Sequence, residues 1–147
     1  MYDASVAIHV VAALVGFGVT FSYPVIQLVA ERRGPDALAL GLEAILAISR
    51  WVAVPATLLV GATGVFQLAD GPYSLEDAWL AVSLGLYFAV MAVAVLYLAP
   101  AYRRAGDAAR AGSADDYRAA ARGIKLVGPL VAGAVLTIAV LMEVKPG

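Results

Sequence analysis

The chain has 147 residues, 63% of them hydrophobic and 14% charged, with a formal net charge of −1, and its mean hydropathy is +0.87. Soluble domains are nearer half apolar and a quarter charged, so this composition points to one membrane-embedded domain over residues 1–147. It leaves no basic face for nucleic acid; the lack of cysteine excludes disulfides and thiolate metal sites, and a single histidine excludes a His-rich metal cluster.

A helix rises about 1.5 Å per residue, so about 20 apolar residues cross a hydrocarbon core of about 30 Å. Span one is expected at 4–30, uncharged from Ala4 to Ala30 and closed by Glu31-Arg32-Arg33-Gly34-Pro35-Asp36. It lacks the basic opening and small-residue exit of a cleavable signal peptide and is expected to stay in the membrane. Ser22 and Tyr23 stand beside Pro24, where they can satisfy backbone groups that the proline frees. Span two is expected at 43–69, with Arg50 snorkelling and Trp51 in the aromatic belt. In the next connection Ser74 and Asp77 have capping-box spacing, which starts span three at 78–102. Arg103 to Arg122 reads as a polar, alanine-rich surface loop containing a short helix. Span four is expected at 123–142.

Nine of the ten Lys and Arg residues lie after spans one and three or at the edges of the spans there; only Lys145 is on the other side. Lys and Arg mark the cytoplasmic face, so both termini are expected outside a bacterial cytoplasmic membrane. Each span carries one proline, Pro24, Pro55, Pro100 and Pro129, in its cytoplasmic half. The two hairpins therefore read as a candidate parallel repeat. The fold class is all-α, an integral membrane four-helix bundle, N-out and C-out.

Ionisable groups inside a span are costly and mark function by default. His9 is the first candidate: its imidazole can ligate haem b or copper through one nitrogen, or simply bond a neighbouring oxygen. Ala12, Ala13 and Gly16 share its helical face and would leave a flat space for a porphyrin. Met142 is expected at the same depth, so His9 and Met142 form a candidate pair for haem or a soft-ligand copper site, against plain packing for Met142. Met1, Asp3 and Glu143 are on that side too, and Met91 lies deeper. Glu43 and Arg50, seven apart, form a candidate intramembrane ion pair for ion or anion handling, against ordinary contacts with water and lipid phosphate. No nucleophile–base pair, phosphate loop or acid dyad is present.

The opening Met1-Tyr2-Asp3, the Ile8-His9-Val10 of span one, Thr63-Gly64, and the ending Leu141-Met142 to Lys145-Pro146-Gly147 resemble a family of small bacterial four-span proteins of unknown function. That family is associated with the copper-resistance protein D membrane-domain group. Within span one, His9, Gly16, Gly18 and Tyr23-Pro24 are similar to the HemJ-type haem-dependent oxidases. The resemblance implies that His9 is a haem or copper ligand. The chain departs from those oxidases in having no second histidine, and its lysines, Lys125 and Lys145, sit at span edges. The sequence thus leaves three readings: a haem-b redox protein using His9, a copper or ion transporter, and a non-catalytic accessory or scaffold subunit. The expected partners are the lipid bilayer and either a second copy of the chain or another membrane protein.

Overall fold

The computed structural model describes residues 2–71 and 74–145; Met1, Pro72-Tyr73 and Pro146-Gly147 lie outside the described residues. Four long helices make up the fold, and no strand occurs among the described residues: α1 (Tyr2–Arg33), α2 (Pro35–Asp70), α3 (Ala78–Arg110) and α4 (Ala114–Val144). All are long and apolar enough to cross a membrane.

Three helices change pitch beside their prolines, because a proline ring clashes with the carbonyl four residues back and offers it no N–H. In α1 the turn Val19–Ser22 tightens to a 3₁₀ form ahead of Pro24, and the Tyr23 N–H bonds the Thr20 carbonyl. In α2 and α3 the backbone widens instead to π turns, Ser49–Ala53 before Pro55 and Ala94–Leu98 before Pro100. Here the Val54 and Ala99 N–H groups reach five residues back, to Ser49 and Ala94. Helix α4 runs through Pro129 without a break. The proline pattern that suggested a repeat therefore has two different local outcomes in its second and fourth members.

The expected loop from Arg103 to Arg122 is instead almost entirely helix. Helix α3 continues to Arg110, and only Ala111 to Ser113 separate it from α4. Alanine is the best helix former, no proline interrupts this stretch, and its first glycine, Gly106, is buried inside the helix without ending it. Gly112 takes φ +69°, a left-handed conformation that favours glycine, and Ser113 then caps α4 by accepting from the Asp116 N–H. Gly34 makes the α1–α2 turn with φ +103°. Ahead of α3 the expected box forms in altered register. The Ser74 N–H donates to Asp77 Oδ2 at 2.9 Å, while Ser74 Oγ accepts from Glu76 rather than Asp77.

The helices have 32, 36, 33 and 31 residues, or about 46–54 Å at about 1.5 Å per residue, well beyond one hydrocarbon core. The excess lies at the hairpin end, where Glu43, Arg50, Arg104, Arg110 and Arg118 are exposed on helical surface. That end holds the densest core: Tyr23, Leu38, Leu42, Ile45, Ala101, Ala105 and Ile124 pack together with Leu42 and Ala105 fully buried. At the opposite end the helices pack as two pairs, Tyr2–Gly18 on Val54–Asp70 and Ala78–Val93 on Ala114–Val144. Tyr87 reaches from one pair to the other, donating to the Thr57 carbonyl at 2.8 Å, and its hydroxyl lies over Gly61, where a Cβ would stand only 2.7 Å away. Leu14, Leu58, Leu126 and Leu130 face outward, the arrangement expected of lipid-facing surface.

Candidate functional site

His9 lies on the face of α1 that meets α2. Its Nδ1 is 2.9 Å from Thr63 Oγ1. The Thr63 hydroxyl proton is directed to backbone carbonyls of its own helix, Leu59 at 2.7 Å and Val60 at 3.1 Å. A hydroxyl has one proton; with that proton on a carbonyl of its own helix, the oxygen lone pair accepts from the imidazole and Nδ1 carries the hydrogen. In that tautomer the neutral ring presents Nε2 as a lone pair; the Val60 backbone also lies within hydrogen-bonding reach of the imidazole. The ring lies against Gly64, where a Cβ would sit at ordinary contact, 3.5 Å from His9 Cε1. One turn towards the termini, Gln67 Nε2 donates to the Ser5 carbonyl at 3.3 Å and ties the same two helices.

A metal-ligating histidine characteristically donates its second ring N–H to an oxygen that fixes tautomer and orientation. His9 and Thr63 have that arrangement, so the donor suits a haem iron or copper. The flat space expected beside it is filled at Gly16, while an apolar groove of about 420 Å³ lined by Ile8, Ala12, Ala56 and Leu59 remains next to it. Ala12 and Gly16 are buried, and a Cβ on Gly16 would meet Ala56 Cβ at 3.0 Å and the Thr57 backbone nitrogen at 3.2 Å. Helix α2 fills the Gly16 end of the face that was expected to cradle a porphyrin. Small residues there serve close helix approach.

Met142 is half-buried on α4, the helix paired with the first part of α3. No group of three or more His, Cys, Asp or Glu able to hold a metal ion occurs among the described residues. Asp3 and Glu143 are exposed at that end, and Met91 is half-buried on α3. Met1 is outside the described residues.

Glu43 and Arg50 do not pair with each other. Glu43 Oε2 meets Arg110 at 3.4 Å, with both side chains more than half exposed, and Arg110 also binds Asp107 at 3.1 Å. The Arg50 guanidinium lies 5.4 Å from the ring centre of Trp51. Arg110 comes from α3, which packs on the first part of α2 and so reaches Glu43 across the helix pair. Exposed pairs of this kind are worth little.

A second polar cluster joins α1 to α4 at the hairpin end. Gln27, 3% exposed, donates to Tyr117 Oη at 3.0 Å and to Glu31 Oε1 at 3.3 Å. The Tyr117 hydroxyl donates to the same Glu31 oxygen, and Lys125 Nζ is 2.8 Å from it. Glu31 and Lys125 look like membrane-boundary charges in the sequence. The available signal was Gln27, a lone amide in an apolar run, which needs a partner when buried. Nearby, the buried Tyr23 hydroxyl stands beside Ser49 without a well-formed hydrogen bond, and its ring meets Tyr102 edge-on at 6.3 Å.

The chain matches the family described as predicted integral membrane protein (DUF2269) over residues 5–146 and belongs to it. No curated protein matches the chain, and no solved structure does.

Proposed function

We propose that this DUF2269 protein is a small cofactor-binding subunit of the bacterial cytoplasmic membrane, with both termini outside, in which His9 Nε2 ligates b-type haem. The observation that carries the reading is the 2.9 Å contact of His9 Nδ1 with a Thr63 hydroxyl that has carbonyls of its own helix to donate to; an imidazole held in this way with Nδ1 protonated has Nε2 left as a ligating lone pair. Bound haem would supply one-electron redox chemistry. The protein's own part is to orient the imidazole, to keep Nδ1 protonated, and to hold the α1–α2 interface closed through Gly16 and the Gln67–Ser5 bond.

Outer-sphere partners of a ligating histidine are typically worth about 10–100-fold in affinity. Purified Thr63→Val therefore retains at least about tenfold less haem than wild type in a competition with a haem acceptor, while Thr63→Ser retains it. Equal retention in Thr63→Val sinks the reading. Orientation is checked separately by single-cysteine labelling, which is unambiguous in a chain with no cysteine. Ser74→Cys reacts with an impermeant reagent from outside intact cells and Ala111→Cys does not; the reverse result overturns the orientation.

The packing of Gly16 against Ala56 and Thr57 favours a second reading, an accessory or scaffold subunit in which His9 and Thr63 only tie two helices. In that case His9→Gln leaves both the fold and co-purifying membrane partners unchanged, and no haem accompanies the wild type.

A further inference from the structure

At the hairpin end a groove of about 690 Å³ runs between α3 and α4, from Tyr97 up to Asp116. Its floor is made of small side chains, Ala101 and Ala108 among them, and Arg104, Asp107 and Asp116 stand on its walls. The charge-free run of α3 ends at Tyr102, so Arg104 sits about 3 Å further along the helix axis, at headgroup depth. Arg104 is exposed and has no ion-pair partner among the described residues, whereas Arg110, Arg118 and Lys125 each pair with a carboxylate. The two acids beside it keep acceptor capacity: Asp107 bonds Arg110 through Oδ1, and Asp116 accepts from Ser113 through Oδ2.

We propose that this groove binds the headgroup of a zwitterionic aminophospholipid of the phosphatidylethanolamine type. Arg104 takes the phosphate, and the Asp107 and Asp116 carboxylates take the primary ammonium. Below the headgroup, Tyr97 lies at the apolar boundary and leads the acyl chains onto the lipid-facing surface of Leu96 and Leu126. The chemistry selects the ligand class. An anionic headgroup would satisfy Arg104 but would stand against two carboxylates. A quaternary ammonium has no N–H to give them.

The test is native mass spectrometry of the full chain, released from mild detergent with chain-matched phosphatidylethanolamine, phosphatidylglycerol or phosphatidylcholine. Wild type retains phosphatidylethanolamine above the other two, and Arg104→Gln retains it about fivefold less, as expected for loss of one basic contact near the surface. Arg103→Gln, whose side chain does not line the groove, retains it as wild type does. Asp107→Asn with Asp116→Asn turns the preference to phosphatidylglycerol. Equal retention of all three lipids by wild type overturns the proposal, as does an equal loss in Arg103→Gln and Arg104→Gln. An unchanged preference in the double Asp variant overturns the assignment of the ammonium.

Discussion

Leu42→Ala lowers the unfolding free energy of the detergent-solubilised protein by about 2–5 kcal/mol, at the upper part of the range for a buried leucine. Leu42 has no exposed surface, and it sits in the core where α2 crosses α3. A Cβ on Gly106 would come within 3.9 Å of Leu42 Cβ. The two backbones are therefore close at this point, and losing the side chain leaves a cavity in the core. The effect is large because the cavity opens in the most densely packed part of the bundle. Leu130→Ala, on outward-facing α4 surface, changes stability by less than about 0.5 kcal/mol, because its alternative environment is as apolar as its present one. Denaturant titration of both variants in the same detergent checks the contrast, and equal losses would contradict it.

Gly16→Leu separates α1 from α2 and costs about 1–3 kcal/mol through overpacking. Its first added atom already stands 3.0 Å from Ala56 Cβ and 3.2 Å from the Thr57 nitrogen. Neither is the tip of a flexible side chain, so the helix itself must move. His9 and Thr63 lie two turns along the same interface with a bond of 2.9 Å. Haem retention therefore falls in Gly16→Leu although the ligand is untouched. Gly18→Leu is the control, since a Cβ there meets nothing within 4 Å; it keeps both the melting temperature and haem retention. A Gly16→Leu protein that melts and binds as wild type does would refute the close approach of α1 and α2.

Much of the fold is legible in the sequence because membrane helices announce themselves locally. The uncharged run from Ala4 to Ala30 and the one from Trp51 to Ala69 each need only a count along the chain. The stretch from Arg103 to Arg122 misleads because charge signals the membrane edge and says nothing about where a helix ends. Its alanines continue the helix past the apolar boundary to the turn at Gly112. The site is less legible for a related reason. Gly16 offers a small side chain, and a small side chain suits a flat cofactor and a close helix equally well; only the identity of the facing residues, Ala56 and Thr57, decides between them. Glu43 and Arg50 share a helix face, yet each finds a better partner off that face, in Arg110 and the Trp51 ring. The Gln27, Glu31, Tyr117 and Lys125 cluster joins residues about ninety positions apart, and no spacing rule within one helix can reveal it.

The central claim is that His9 Nε2 is a ligand, and an optical absorption spectrum tests it most directly. Protein purified in mild detergent from haem-sufficient cells is scanned as isolated and after dithionite reduction. A Soret band near stoichiometric with the chain, shifting on reduction and absent from His9→Ala at equal yield, is the predicted result. A flat visible spectrum from the wild-type protein would contradict it and leave His9 and Thr63 as a tie between two helices.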